Sequence, residues 1–166
     1  MSDLYQSNRK LVATYRQQLQ QKIVSLHQAE QSSDNIDPQK FYLGFKDRAI
    51  ELVQKETDLL QKECADSDNC HLLLLKQTAL VDTLVQASFY SAVWYFNHQN
   101  NQEWTTQSVP IAIVARGGYG REEMYFRSDV DIQIVSESSI SESDKKTAEQ
   151  IIRHFEYLFV FQDIFP

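Results

Sequence analysis

Glycine, proline and cysteine are scarce in this 166-residue chain, at four, three and two residues respectively. With so few helix breakers, long stretches can run as uninterrupted helix. The two cysteines, Cys64 and Cys70, stand in CADSDNC, without a CxxC pair or a nearby cluster of histidines. That excludes a disulfide scaffold and a zinc ribbon, and it fits a reduced cytoplasmic protein. Positive charge is also short, with 16 Lys+Arg against 23 Asp+Glu and a net charge of −7. A general attraction to nucleic acid is thereby excluded, so any phosphate chemistry must be local. The fully apolar runs, such as Leu72–Leu75 and Ile111–Ala115, are far below the ~20 residues of a membrane span. The N-terminal MSDLYQSNRK has no apolar signal core. A soluble cytosolic protein with one core is the expectation.

What is present falls into two textures. Leu4, Leu11, Val12, Tyr15, Leu19, Ile23 and Leu26 recur at helical spacing over residues 1–30. After QSSDNIDP, Asp37 followed by Pro38 predicts a helix start, and Phe41, Phe45, Ala49, Leu52, Val53, Thr57, Leu59 and Leu60 carry a second helix to about residue 64. A third helix follows the polar break ADSDN. Its apolar content exceeds one face, which predicts the most buried helix, with Phe89, Tyr90, Trp94, Tyr95 and Phe96 as core. His27, His71, His98 and His154 are scattered and read as surface or half-buried. From Val109 the texture becomes β-branched. Residues 109–115 predict a strand ending at Arg116-Gly117-Gly118, and 129–135 predict a second strand. Ser141 and Asp144, at capping-box spacing, predict a last helix over about 143–161.

Three of the four glycines fall in GGYGREEMYFRSDVDI, residues 117–132. A strand that runs into Gly-Gly and a short helix presents bare N–H groups to an anion, although the glycines alone read equally as a tight turn. Asp129 and Asp131 are at strand period, so their carboxylates share a face while Val130 and Ile132 face the core. Two adjacent carboxylates resist joint ionisation unless a cation lies between them, and Mg²⁺ takes one or two carboxylates plus phosphate oxygens. Asp-Val-Asp by itself suits a solvated strand face; a glycine turn eleven residues before Asp129 favours the metal pair. Arg116, Arg121 and Arg127 could meet phosphate oxygens or pair with Glu122, Glu123 or the aspartates. Ser128 could cap the turn before the strand or touch phosphate, with the capping role favoured.

The segment AIVARGGYGREEMYFRSDVDI resembles the N-terminal nucleotidyltransferase domain of the bacterial PII uridylyltransferase/uridylyl-removing enzymes, within the DNA polymerase β-like nucleotidyltransferase superfamily. Gly117, Gly118, Tyr119, Gly120, Arg121, Glu123, Ser128, Asp129 and Asp131 match the family's approximate GGYGRGEL and SDIDL. Leu80-Val81-Asp82 is similar to the centre of the helix that leads into the family's glycine strand. The likeness is specific over roughly 70–135 and general before it.

The resemblance implies an α+β fold: long N-terminal helices over 1–105, then a small mixed sheet of the polymerase β-like type in 106–166, packed as one domain and lacking its last strand. It further implies Mg²⁺-dependent transfer of UMP from UTP to a tyrosine hydroxyl of the PII nitrogen-signalling protein, with no nucleic-acid or membrane partner. Gly117, Gly118, Arg121 and Ser128 would bind the nucleotide's phosphates, and Asp129 and Asp131 would act in catalysis as the Mg²⁺ ligands. A protein adenylyltransferase and a non-catalytic binding or regulatory module are the alternatives. Three positions depart from the pattern: Glu122 replaces a glycine, adding charge beside the phosphate site, and Met124 and Gln133 each replace a leucine. The superfamily's third carboxylate comes from a later strand, and Asp163 is the only late acidic residue here. The family's hydrolase and regulatory domains are not among these residues, which leads us to expect either a piece of a longer enzyme or a shortened relative.

Overall fold

The computed structural model describes residues 2–31, 37–66 and 68–159; Asp163 and the Leu26 and His27 side chains lie outside the described residues. The element order is α1 (Ser2–Gln31), α2 (Pro38–Asp66), α3 (Cys70–Asn100), β1 (Ile111–Ala115), α4 (Gly117–Gly120), β2 (Ile132–Ser136) and α5 (Glu142–Leu158). The fold is α+β, as the sequence implies.

The helix starts follow from local chemistry. The Asp37 carboxylate accepts from the backbone N–H of Gln39 at 3.0 Å, and Pro38 fills the first turn, where its missing N–H costs nothing. Asn69 accepts from Leu72 N–H at 3.2 Å to open α3, and Ser141 accepts from Asp144 N–H at 3.1 Å to open α5. At the far end of α3, Asn101 closes the helix in a left-handed conformation, its N–H bonded to the Asn97 carbonyl.

Helix α3 is the spine. It packs against α1, α2 and α5, and its buried residues lie all around its circumference, from Leu72 to Phe96. One apolar cluster runs from Leu19 and Ile23 in α1, through Phe45 and Val53 in α2 and Leu80 and Leu84 in α3, to Tyr119, Met124, Ile151 and Phe155. The helical region and the strand region therefore share a core. Two sequence expectations are corrected here. Leu4 and Leu11 are exposed, because Asn8 takes the buried place between them, exchanging side-chain hydrogen bonds with Asn69 at 3.0 and 3.2 Å. Tyr90 is exposed rather than core.

The strands pair antiparallel, with Ile113 opposite Ile134 and Ala115 opposite Ile132. Ile111, Ile113, Ile132 and Ile134 turn to the helices, while Ala112, Val114, Gln133 and Val135 are exposed. β2 begins at Ile132, so Asp129 and Asp131 precede the ladder instead of lying within it. The reason is β1: it ends at Ala115, leaving a single further bond, from Arg116 N–H to the Asp131 carbonyl at 2.8 Å. No helix of the described residues is long and apolar enough to cross a membrane.

Leu19 and Leu11 both belong to the apolar pattern of α1 but differ in burial. Leu19→Ala should therefore cost ~2–5 kcal/mol in urea denaturation, and Leu11→Ala no more than ~0.5 kcal/mol.

Candidate active site

The segment that joins β1 to β2 begins with a sharp reversal. Gly117 has φ +55°, in the left-handed region. A β-carbon there would lie 2.2 Å from Oδ2 of Asp131, so the glycine's backbone and the aspartate's carboxylate occupy adjoining space. Gly120 is required for a different reason: a β-carbon would lie 2.8 Å from the Ala115 carbonyl oxygen, which is rigid backbone. Gly120 N–H donates to the Arg116 carbonyl at 2.7 Å. It gives the first bond of the turn, so the N–H groups of Gly117, Gly118 and Tyr119 lie ahead of it, where a helical turn has no internal acceptor.

Tyr119 anchors the turn from below. Its side chain is buried, and its hydroxyl donates to Asp82 Oδ1 at 2.8 Å. The other oxygen of Asp82 accepts from Arg16 of α1 at 2.6 Å. Burial, then the neighbouring Asp82 charge, pushes the Tyr119 hydroxyl well above the ordinary tyrosine range, so it remains a donor at any physiological pH. The chain Arg16–Asp82–Tyr119 thus joins α1, α3 and the glycine turn.

Beyond the turn the backbone doubles back, with Glu123 N–H donating to the Gly118 carbonyl at 2.9 Å. Glu122, where the resembled family has glycine, takes φ +61°. The left-handed region costs a non-glycine residue ~1–2 kcal/mol, which accounts for a glycine preference at such a place. Its carboxylate forms a bidentate pair with Arg9 of α1, with Nη1 donating to Oε1 at 2.8 Å and Nη2 to Oε2. That guanidinium holds the Glu122 carboxyl below the usual carboxylate range. The charge expected beside the phosphate site is therefore matched by a cation.

The two aspartates follow. Asp129 and Asp131 are exposed, alternating with half-buried Val130 and Ile132, which pack on the core. The alternation read from the sequence persists although the ladder has ended. Neither carboxylate forms an ion pair or side-chain hydrogen bond with a described residue. Among the described residues no three His, Cys, Asp or Glu side chains cluster as a metal site.

The remaining sequence candidates are disposed around this centre. Arg121 donates to Glu123 at 2.8 Å, both well exposed. Arg116 reaches across the sheet to Gln133 at 3.2 Å, and Arg127 is exposed. Ser128 Oγ accepts from Tyr125 N–H at 3.0 Å, the turn-capping role, and sets the backbone just before Asp129. Gly118 differs from its neighbours in having room for a methyl group, with its nearest contact at 3.6 Å. Sequence reasoning missed Arg9 and Arg16 and assigned no role to the Tyr119 hydroxyl. The available signal was two arginines seven residues apart, on one face of a helix.

Two substitutions test this geometry. Gly117→Ala should cost ~1–2 kcal/mol from its positive φ and displace the Asp131 carboxylate, observable as shifted Asp131 resonances. Tyr119→Phe should lower stability in urea by ~1–3 kcal/mol, because Asp82 loses a buried donor.

No family model matches the chain, and no solved structure matches it. Curated proteins do. A bifunctional uridylyltransferase/uridylyl-removing enzyme of Zymomonas mobilis is 34% identical over 111 residues, covering 63% of this chain and 11% of that protein. The proteins of the same description from Neisseria meningitidis serogroups A and B are each 28% identical over 111 residues, 67% of this chain and 11% of theirs. The chain spans about a ninth of the length of these relatives. Over roughly two thirds of its own residues, it is similar in sequence to the bifunctional uridylyltransferase/uridylyl-removing enzymes, the family its glycine and aspartate motifs resemble.

Proposed function

We propose that this chain carries the nucleotide site of a nucleotidyltransferase, which transfers UMP from UTP to a tyrosine hydroxyl of a PII-type signalling protein with Mg²⁺ as cofactor. The observation that carries the reading is the juxtaposition of Gly117 with the Asp131 carboxylate, in a segment similar to proteins described as uridylyltransferases.

The residues suit a divalent cation. Asp129 and Asp131 have no neutralising partner among the described residues, and two carboxylates completed by phosphate oxygens suit Mg²⁺. When bound, the metal supplies charge neutralisation on the triphosphate. The chain's own groups do the rest. N–H groups of the glycine turn would orient phosphate oxygens, and Asp129 and Asp131 would hold the metal. Arg121, at the exposed rim, can exchange its weak pairing with Glu123 for a phosphate, and Ser128 can offer its hydroxyl proton while still accepting from Tyr125. In the transfer the tyrosine oxygen bonds to the α-phosphorus, the bond to pyrophosphate breaks, and the hydroxyl proton leaves to a base.

The lack of a three-carboxylate group among the described residues favours one second reading: a module that binds the nucleotide without transferring it. A related adenylyltransferase, acting on a protein or small molecule, differs from the first reading in its base and can differ in its acceptor.

Isothermal titration should show UTP binding that requires Mg²⁺ and is abolished by Asp129→Asn with Asp131→Asn. Binding unchanged by that pair would sink the metal assignment. Competition by ATP would separate the adenylyl from the uridylyl reading. Uridylylation of a PII-type protein would separate transfer from binding alone.

A further inference from the structure

The loop that follows the glycine turn is held in an unfavourable conformation by a residue from the opposite end of the chain. Gly117 at φ +55° and Glu122 at φ +61° bracket the turn. Between them the backbone closes on itself through Glu122 N–H to the Tyr119 carbonyl at 3.0 Å and Glu123 N–H to the Gly118 carbonyl at 2.9 Å. Glycine would accept the second left-handed position without help, and glutamate does not. Here the side chain of Glu122 is gripped at both oxygens by Arg9.

Arg9 is itself oriented for this. The Tyr5 hydroxyl accepts from Arg9 Nε at 3.1 Å and from Nη2 at 2.9 Å, fixing the guanidinium plane. One face of α1 thus presents Arg9 to the lip of the turn and Arg16, two helical turns later, to the Asp82 that holds Tyr119. The two contacts hold the glycine segment from its end and from beneath.

We infer that Arg9 is a positioning residue for the nucleotide site: by pairing with Glu122 it does for this chain what a glycine would do at position 122, and so keeps Gly117 against the Asp131 carboxylate. The inference rests on the reading that this turn receives a nucleoside triphosphate. It requires no contact between Arg9 and the nucleotide.

A double-mutant cycle with two readouts tests it: Kd for UTP in the presence of Mg²⁺, and amide hydrogen exchange over residues 117–123 without nucleotide. Arg9→Met should weaken binding about three- to fivefold, the range of an exposed bidentate pair, and speed exchange in the turn. Glu122→Gly should bind at least as well as the parent. In the double variant the loss should vanish, so that Arg9→Met is silent once residue 122 is glycine. Arg9→Glu with Glu122→Arg should recover most of the parent's affinity. Equal loss from Arg9→Met in the glutamate and glycine backgrounds would overturn the inference, since it would mark a general loosening of α1. Turn exchange unchanged by Arg9→Met would overturn it as well. If the parent binds no nucleoside triphosphate, the functional reading fails by itself, and the exchange data still decide the role of Arg9.

Discussion

The structure depends on the close approach of Gly117 to the carboxylate of Asp131. Only a residue without a β-carbon, in a left-handed conformation, can bring its backbone that near. β1 must therefore end at Ala115 and β2 must begin at Ile132, with one remaining bond between Arg116 and Asp131 to set the distance between turn and carboxylates. The aspartates stand just outside the ladder, exposed and without an ion pair among the described residues, while Val130 and Ile132 hold their backbone to the core.

A turn this strained needs support, and the helices provide it. Tyr119 is packed in the common core and tied to Asp82 on α3, the helix that packs against α1, α2 and α5. Arg16 completes that acceptor and Arg9 holds Glu122, so α1 acts on the turn at two places. The helical half of the molecule thus belongs to the same unit as the strands, and the shared apolar cluster from Leu19 to Phe155 is its material form. Exposed ion pairs are weak by themselves. Here they act on a backbone whose alternatives differ by amounts of similar size.

Much of this was legible in the sequence because it is local. Asp37 with Pro38 and Ser141 with Asp144 announce helix starts through neighbours two or three residues away, and the glycine turn and the paired aspartates announce themselves by period and spacing. The rest depends on partners far along the chain. Asp82 and Tyr119 are 37 residues apart, and Arg9 and Glu122 are 113 apart; neither pairing leaves a periodic trace. Glu122 stood out as a departure from the family's glycine, but its backbone conformation and its partner required the fold. Tyr90 and Leu11 misled for a related reason: an apolar pattern identifies a helix, while coverage of each position depends on what packs beside it.

The central claim is that the glycine turn and the two aspartates form one site for a metal-bound nucleotide. Amide NMR with Mn²⁺ in place of Mg²⁺ tests it directly, since the paramagnetic ion broadens only what lies near it. With UTP present, broadening should centre on Gly117, Gly118, Asp129 and Asp131 and should disappear when UTP is withheld. Broadening centred elsewhere, such as the acidic start of α5, or indifferent to the nucleotide, would contradict the account.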